Sequence, residues 1–254
     1  MAARIDFNCD MGESFGAWKM GLDEEVIKHV TSSNIACGFH AGDPVWMEHT
    51  VELARAHGVA IGAHAGYPDL IGFGRRDMAA SPGDVKSYVK YQVGALMGFL
   101  EGGKLQHVKA HGALYNAAIK DDDLARAICQ AVLEIDPQII LVVLAGTRWV
   151  EIAREMGNRV ARETFADRAF SPDGTLAPRS QPGAVLHDPD QVVERSLRMI
   201  IEGTVTATDG RDIPIEADTI CLHGDNPGAV ELAAAIRSKF EEEGVEVVPM
   251  GTFC

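Results

Sequence analysis

Short apolar runs alternate with longer helix-like stretches along nearly the whole chain. This alternation is typical of parallel strands joined by crossover helices. The runs are too short to be helices and are bounded by glycine or polar residues, so we interpret them as strands. The predicted strands comprise residues 4–8, 34–37, 59–63, 107–110, 139–144, 160–163, 219–222 and 245–249.

Capping residues mark where the intervening helices begin. Asp43 and Ser81 each precede a proline, which predicts an N-cap followed by proline at the first helical position. These two helices are expected to end at His57-Gly58 and near Gly102-Gly103. The other predicted helices cover residues 122–133, 147–156, 190–201 and 227–243, and a surface hairpin is predicted from residues 204–207 and 213–215 around Asp209-Gly210.

The number of strand–helix units favours a closed barrel. Seven or eight parallel units in one chain predict an α/β protein of the (β/α)-barrel class, although an open doubly wound sheet gives a similar pattern. No internal repeat, low-complexity tract or linker interrupts the sequence. Residues 1–254 are therefore predicted to form one catalytic barrel domain.

Polar side chains occupy alternate positions of several predicted strands, where a buried parallel strand should be apolar throughout. The sets that share a face are Asp6, Asn8 and Asp10; His107, Lys109 and His111; and His223 and Asp225. Further polar residues at strand ends are Glu13, His40, His64 and Glu163. Burying such groups is unfavourable unless they pair with each other, a ligand or a metal. We therefore expect a site at the carboxyl ends of the strands.

Composition removes several classes of function. With 23 basic and 37 acidic residues the net charge is −14, which argues against a nucleic-acid partner. No apolar run is long enough to span a membrane, and the first ten residues lack the apolar segment of a secretion signal. Five cysteines without a CxxC pair fit a reducing compartment. The expectation is a cytoplasmic protein that binds neither nucleic acid nor membrane.

The histidines near strand ends could hold a divalent metal. The favoured ligands are Asp10, His64 and His111, with His40 as a further ligand or a base. No compact HExxH motif supports this set. A metal-free site, in which the same groups bind a polar substrate and move protons, is an equally good interpretation.

Cationic residues near the same strand ends could bind an anion. Lys109 is a candidate cation for a carboxylate or a developing oxyanion, or else an ion-pair partner of Asp10 or Glu163. Arg75 and Arg76 follow a glycine-rich turn and could grip an anionic substrate.

Cys37 near His40 could form a nucleophile pair, but a small buried thiol is the commoner role. The stretch from Gly98 to Leu105 imitates a P-loop, but it lacks the hydroxyl residue and the strand-to-helix order of that motif.

Taken together, these segments resemble the LamB/YcsF family. The matching stretches are residues 6–16 (DFNCDMGESFG), 34–44 (NIACGFHAGDP), 62–76 (GAHAGYPDLIGFGRR), 108–116 (VKAHGALYN), 163–180 (ETFADRAFSPDGTLAPRS) and 221–229 (CLHGDNPGA). They follow one another along nearly the whole chain. The resemblance implies a barrel related to glycoside hydrolases and polysaccharide deacetylases.

The resemblance also implies an activity. It is the opening of the lactam of 5-oxoproline to L-glutamate, coupled to ATP hydrolysis, in a complex with two further subunits, B and C. ATP is then required by the complex, and it binds either an atypical site on this chain or a partner. In deacetylase-type relatives an Asp and two His hold a metal, which by position supports Asp10, His64 and His111.

On this basis we assign candidate roles to the polar residues. The candidate catalytic residues are Asp10, His40, Lys109 and Asp225, the candidate substrate-binding residues are Asn8, Glu13, Arg75, Arg76, Glu163 and His223, and the candidate metal ligands are Asp10, His64 and His111. Two other functions stay open at this stage. One is a stand-alone metal-dependent amide or acetyl hydrolase, and the other is a non-catalytic component that binds a lactam or carbohydrate.

Overall fold

The computed structural model, which describes residues 3–223 and 228–254, contains a closed barrel of seven parallel strands. The strand at Thr219–Leu222 pairs with both the strand at Arg159–Phe165 and the first strand, Arg4–Met11, and so closes the sheet. The barrel prediction is confirmed, and the open-sheet alternative is wrong. The barrel strands, in spatial order, are β1 (Arg4–Met11), β2 (Ser32–Ala36), β3 (Ala60–Ala65), β4 (His107–Ala110), β5 (Ile140–Leu144), β6 (Arg159–Phe165) and β9 (Thr219–Leu222).

Helices surround the barrel and begin where the capping residues predict. Asp43 accepts hydrogen bonds from the backbone of Val45 and Trp46, and Ser81 forms a capping box with Asp84. The helices are α1 (Asp23–Val26), α2 (Pro44–Ala56), α3 (Pro82–Met97), α4 (Gly112–Lys120), α5 (Asp122–Ile135), α6 (Arg148–Glu155), α7 (Pro189–Leu197) and α8 (Ala229–Glu242). Among the helices of residues 3–223 and 228–254, none has the length and hydrophobicity to cross a bilayer.

The last strand and the helix after β4 differ from the prediction, whereas the hairpin agrees with it. The predicted strand 245–249 is reduced to β10 (Glu246–Val247), which pairs with Arg4 and Ile5 beside the closed barrel. Helix α4 was not predicted, and it follows β4 with only His111 between them. The predicted hairpin is confirmed as the antiparallel pair β7 (Thr204–Thr206) and β8 (Asp212–Pro214).

The two faces of β1 divide as the alternation predicts. Ile5, Phe7 and Cys9 belong to the hydrophobic core, and each is completely buried. Asp6 and Asn8 are also completely buried but bond to polar side chains of neighbouring strands. The interior of the barrel is therefore polar along this strand, and its stability depends on every such group finding a partner.

Seven side chains satisfy this requirement by forming a closed loop of hydrogen bonds, which we call the interior ring. Its members, in bonded order, are Asp6, Ser32, Gln106, His107, Asn34, Asn8 and Thr219. The bonds measure between 2.5 Å, for Ser32 to Asp6, and 3.1 Å, for Gln106 to His107. The ring ties β1, β2 and β9 to the start of β4 across the barrel interior.

Asp6 is the acidic member of the ring. It accepts bonds from Ser32, Thr31 and Thr219, yet burial outweighs them and raises its pKa from 3.8 to about 6. Because the folded state binds this proton more tightly than the unfolded chain, the contribution of Asp6 to stability declines as the pH rises from about 4 to about 6.

We expect Asp6→Asn to remove that decline. Because one pKa unit corresponds to about 1.4 kcal/mol, the free energy of unfolding of the variant, relative to that of the unmodified chain, should increase by about 2 to 2.5 kcal/mol between pH 4 and pH 7.5. Urea unfolding of both proteins at the two pH values measures the difference. An offset that is the same at both values would contradict the raised pKa of Asp6.

Candidate active site and metal centre

The predicted site residues converge at the carboxyl end of the barrel in two adjoining groups. The first, the lysine cluster, comprises Asp10, Lys109, Glu163 and Tyr115. The second, the imidazole cluster, comprises Glu13, His40, His64 and His111. The two groups meet where Asp10 Oδ2 lies 3.3 Å from His64 Nε2.

The lysine cluster holds one cation between two carboxylates. Lys109 Nζ lies 3.0 Å from Asp10 Oδ1 and 2.8 Å from Glu163 Oε1, and all three side chains are largely or fully buried. Asn34 donates to Asp10 at 2.8 Å, and the Tyr115 hydroxyl donates to Glu163 at 2.9 Å. The carboxylates therefore have neutral donors in addition to the lysine, which satisfies their remaining lone pairs.

The charged forms of Asp10 and Lys109 are strongly favoured. Burial opposes ionisation of Asp10, but His64 and Lys109 outweigh it and hold the pKa of Asp10 well below its ordinary value. Burial likewise opposes the charge of Lys109, but Asp10, Cys221 and Glu163 raise its pKa well above the ordinary value. At neutral pH the cluster therefore presents an ionised Asp10 beside a charged lysine.

The imidazole cluster brings four potential ligand atoms within 4.8 Å of one another. The rings of His40 and His111 are stacked in parallel with centroids 3.7 Å apart, and the ring of His64 stands edge-on to His111 at 4.8 Å. Burial and the neighbouring imidazoles lower the pKa of both His40 and His111 well below the ordinary value. Both rings are thus neutral, which is the form that binds a metal.

The hydrogen bonds of two of these rings fit a metal centre. His111 Nε2 donates to the carbonyl of Phe73 at 2.8 Å, and His64 Nδ1 lies 3.3 Å from the carbonyl of Lys109. The other nitrogens, His111 Nδ1 and His64 Nε2, face each other at 2.9 Å. A backbone acceptor on one ring nitrogen is the usual arrangement in metal-binding histidines. Two nitrogens that share an ion at about 2.1 Å lie roughly 3.0 to 3.4 Å apart, so a small separation of the two rings would admit one.

His40 supports the same interpretation. It is completely buried, and neither of its ring nitrogens makes a hydrogen bond to any residue that the structure describes. Nε2 lies 3.4 Å from Glu13 Oε1 without the geometry of a hydrogen bond. A buried imidazole in this state calls for a further partner, and a divalent cation among neutral imidazoles and a carboxylate would be one.

The loop after β3 places a backbone oxygen against the imidazole cluster. Phe73 has φ +54°, and among the described residues no other non-glycine has a positive φ. Its carbonyl accepts from His111, and its ring packs edge-on against His40 and His111. Asp69 anchors the loop by accepting from Gly72 and pairing with Arg76. The strained residue is therefore held in place at a candidate site.

The two predicted arginines have different environments. Arg76 pairs with Asp69, so its guanidinium already has an anionic partner within the loop. Arg75 lies over the ring of Phe73 at 4.8 Å and its charge contributes to the lowered pKa of His40. Of the two, Arg75 is the one with contacts to the imidazole cluster and the Phe73 ring beside it.

His223 forms a separate contact at the same end of the barrel. Its Nδ1 lies 3.0 Å from both oxygens of Asp167, and its ring stacks on Phe165 at 5.6 Å. Lys109 Nζ lies 5.2 Å from the centre of that same Phe165 ring. His223 is therefore next to the lysine cluster. Asp225, the other candidate of this segment, lies outside the described residues.

Sequence reasoning found most of these residues but not every grouping. The imidazole cluster contains Glu13 and His40 in addition to His64 and His111. Asp10 lies beside this cluster and bonds mainly within the lysine cluster. Asn34 was missed as a site residue, although its place in the alternation of β2 could have indicated it. Tyr115 gave no signal because α4 was not predicted.

Cys37 is a small buried thiol, which is the role that the sequence analysis gave as the commoner one. Its buried thiol donates to the carbonyl of Ile35, and burial raises its pKa to about 12. A thiol that stays protonated at neutral pH is a poor nucleophile.

Fold and site together define a (β/α)-barrel protein with buried acid, cation and imidazole groups at the end where barrel enzymes place their chemistry. The chain belongs to the LamB/YcsF family, whose sequence profile matches residues 5–254. It is 58% identical over 252 residues to the A subunit of 5-oxoprolinase from Pyrococcus furiosus, covering 98% of this chain and 99% of the relative. The expected family is confirmed.

Two further comparisons agree. A protein of the same name from Syntrophobacter fumaroxidans is 56% identical over 250 residues, which are 98% of this chain and 99% of the relative. The crystal structure of a lactam utilization protein from Thermus thermophilus superimposes with a TM-score of 0.91 and 51% identity, covering 96% of this chain and 99% of that one. The barrel is thus shared with a solved structure.

We expect Gly74→Ala to disrupt the imidazole cluster. Gly74 has φ +61°, and a Cβ there would lie 2.6 Å from His40 Cβ and 2.8 Å from His111 Cδ2. Gly58 is the matched control, because it has φ +67° and nothing within 4 Å of its Cβ position. Gly58→Ala should lower the free energy of unfolding by about 1 to 2 kcal/mol through backbone strain alone.

Gly74→Ala should lower the free energy of unfolding by about 1 to 3 kcal/mol more than Gly58→Ala does, which is typical of overpacking. Denaturant unfolding of the two variants measures the difference, and histidine NMR signals report whether the rings move. Equal losses in both variants, with unchanged histidine signals, would contradict the close packing of Gly74 on the cluster.

Proposed function

We propose that this chain is the A component of a 5-oxoprolinase that opens the lactam of 5-oxoproline to L-glutamate with hydrolysis of ATP. The proposal includes two partner subunits, B and C, a cytoplasmic location and one catalytic barrel domain over residues 1–254. It rests on the names of relatives that match over almost their whole length, and on a buried acid–cation pair beside a neutral imidazole cluster.

The coupling to ATP has a chemical rationale. A lactam carbonyl is a weak electrophile, so transfer of a phosphoryl group from ATP to its oxygen would activate the ring carbon. Attack of one water and cleavage of the ring C–N bond then give an acyl phosphate and a free amine. A second water cleaves the acyl phosphate, and the balance is glutamate, ADP and phosphate. We assign ATP to the complex and to no residue of this chain.

The residues of the two clusters suit the hydrolytic part of this sequence. Ionised Asp10 is positioned to accept a proton from the attacking water, with His40 as the other candidate base. Lys109 can stabilise negative charge as it develops on the ring carbon's oxygens. We assign the substrate carboxylate to Arg75, and Asn8, Glu13, Glu163 and His223 keep the substrate-binding role that the sequence analysis gave them. Asp225 keeps its candidate role from the sequence.

A divalent metal is part of the proposal. The imidazole cluster would hold it through His64 and His111, with Glu13 and His40 adjacent and Asp10 next to His64. A metal at this point would act as a Lewis acid toward a carbonyl or phosphoryl oxygen.

We expect Asp10→Asn to abolish most of the activity. The amide keeps the size of the side chain and an oxygen for Lys109, but it removes the base. Glutamate and ADP formation from 5-oxoproline and ATP by the chain mixed with subunits B and C should fall about 100-fold or more. Asp122→Asn, at an exposed pair with Arg148, is the matched control and should stay unchanged. Undiminished turnover by Asp10→Asn would remove Asp10 from the chemistry.

The metal assignment has its own test. Purified chain titrated with Zn²⁺, Co²⁺ or Mn²⁺ should bind about one ion in calorimetry, and His111→Ala should weaken binding roughly 10-fold or more. His49→Ala, at a half-exposed histidine outside the cluster, should bind like the unmodified chain. If none of the three ions binds the unmodified chain, the metal-free interpretation stands.

A second candidate function is a stand-alone metal-dependent amide hydrolase, and the imidazole cluster favours it. This function predicts 5-oxoproline or amide hydrolysis by the isolated chain without ATP, and inhibition by a chelator. The proposed 5-oxoprolinase predicts glutamate only when ATP and the partner subunits are present. Assays of the chain alone and with the partners therefore separate the two.

A further inference from the structure

His107 is a buried histidine of β4 that belongs to neither cluster. Its ring is completely buried, with Nε2 2.7 Å from Asn34 Oδ1 and Nδ1 3.1 Å from Gln106 Nε2. It stands two residues before Lys109 and thus below the lysine cluster on the same strand. Both of its nitrogens are occupied by partners in the interior ring.

The partners of Asn34 fix which atoms carry hydrogen. Asn34 Nδ2 donates to Asn8 Oδ1 at 2.7 Å and to Asp10 Oδ1 at 2.8 Å, so both amide hydrogens are used on oxygen acceptors. Its Oδ1 must therefore face His107, and because an amide oxygen only accepts, His107 Nε2 carries the proton. Nδ1 of His107 is then the acceptor for Gln106. The ring is neutral, and burial together with Lys109 lowers its pKa to about 3.

We propose that His107 is a positioning residue that holds Asn34 in the orientation that donates to Asp10. With the amide reversed, the Asn34 oxygen would face the carboxylate of Asp10 and the oxygen of Asn8, and neither of these two contacts of Asn34 would contain a hydrogen. The tautomer of His107 is also fixed from its other side. Gln106 Oε1 accepts from the backbone of Gly251 at 3.2 Å, so Gln106 Nε2 donates to His107 Nδ1 and the proton of the ring lies on Nε2. His107 excludes the reversed amide because this Nε2–H requires an acceptor. The role in turnover rests on the proposed function, while the hydrogen-bond direction does not.

Strand β3 leaves space for the His107 ring because it has a glycine opposite it. Gly62 of β3 is the register partner of His107, and a Cβ on Gly62 would lie 2.1 Å from His107 Nε2. Any side chain at Gly62 would therefore displace the imidazole from Asn34. A substitution at Gly62 therefore breaks the contact between His107 and Asn34 without changing His107 itself.

The direction of the hydrogen bond is tested without an activity assay. In the full chain labelled with ¹⁵N-histidine, NMR should find His107 as the Nε2–H tautomer at both pH 5.5 and pH 8, with assignment from the signal that His107→Gln removes. An Nδ1–H tautomer, or a charged ring at pH 5.5, would overturn the proposal. This result stands whether or not the complex makes glutamate.

The positioning role is tested by a double-mutant cycle in the complex with subunits B and C. His107→Leu and Asn34→Ala should each lower kcat roughly 10-fold to 100-fold, with KM for 5-oxoproline changed less than about 3-fold. If His107 acts through Asn34, the double variant should lose no more than Asn34→Ala alone. His107→Gln, which restores a donor, should recover part of kcat, and His49→Leu is the matched control.

The outcomes separate the two proposals. An inactive unmodified complex contradicts the proposed function and leaves the tautomer result to decide the geometry. An active complex in which His107→Leu retains full kcat, or in which the two losses multiply, overturns the positioning role. Should His107→Leu fail to fold, Gly62→Ala takes its place in the comparison, because its added methyl group would displace the His107 ring. Gly62→Ala should then lower kcat while thermal unfolding remains cooperative, and unchanged kcat would overturn the role.

Discussion

The ion pairs of Lys109 with Asp10 and Glu163 inside a closed barrel are the constraint on which the site depends. One cation between two carboxylates leaves an excess of negative charge in a region without bulk water. Asn34 and Tyr115 offset part of that excess with hydrogen bonds. Asp10 also lies 3.3 Å from His64 Nε2, so one of these carboxylates is close enough to attract a cation held by the imidazole cluster.

The two clusters are also joined through backbone. Strand β4 carries Lys109, whose side chain enters one cluster and whose carbonyl lies against His64 in the other. His111 follows directly after the same strand and bonds to Phe73 in the loop after β3. A shift of β4 would therefore move groups of both clusters at once, so their relative positions are a property of the barrel and not of the loops alone.

Much of this could be read from the sequence, because side chains alternate strictly along a strand. The inward placement of Asp6 and Asn8 and the shared face of His107 and Lys109 follow from period two alone. Loop geometry has no such period. That Glu13 joins the imidazoles, and that Phe73 adopts a positive φ, depends on how loops cross the barrel end. These features became visible only in three dimensions.

The interior ring has a consequence for proton movement. Along the segment from His107 to Thr219 every donated hydrogen belongs to an imidazole fixed in one tautomer or to a side-chain amide, and amides do not pass protons on as hydroxyls or waters do. The segment therefore does not conduct protons through the barrel interior. Protons released or taken up at the lysine cluster therefore do not travel through this segment of the interior ring.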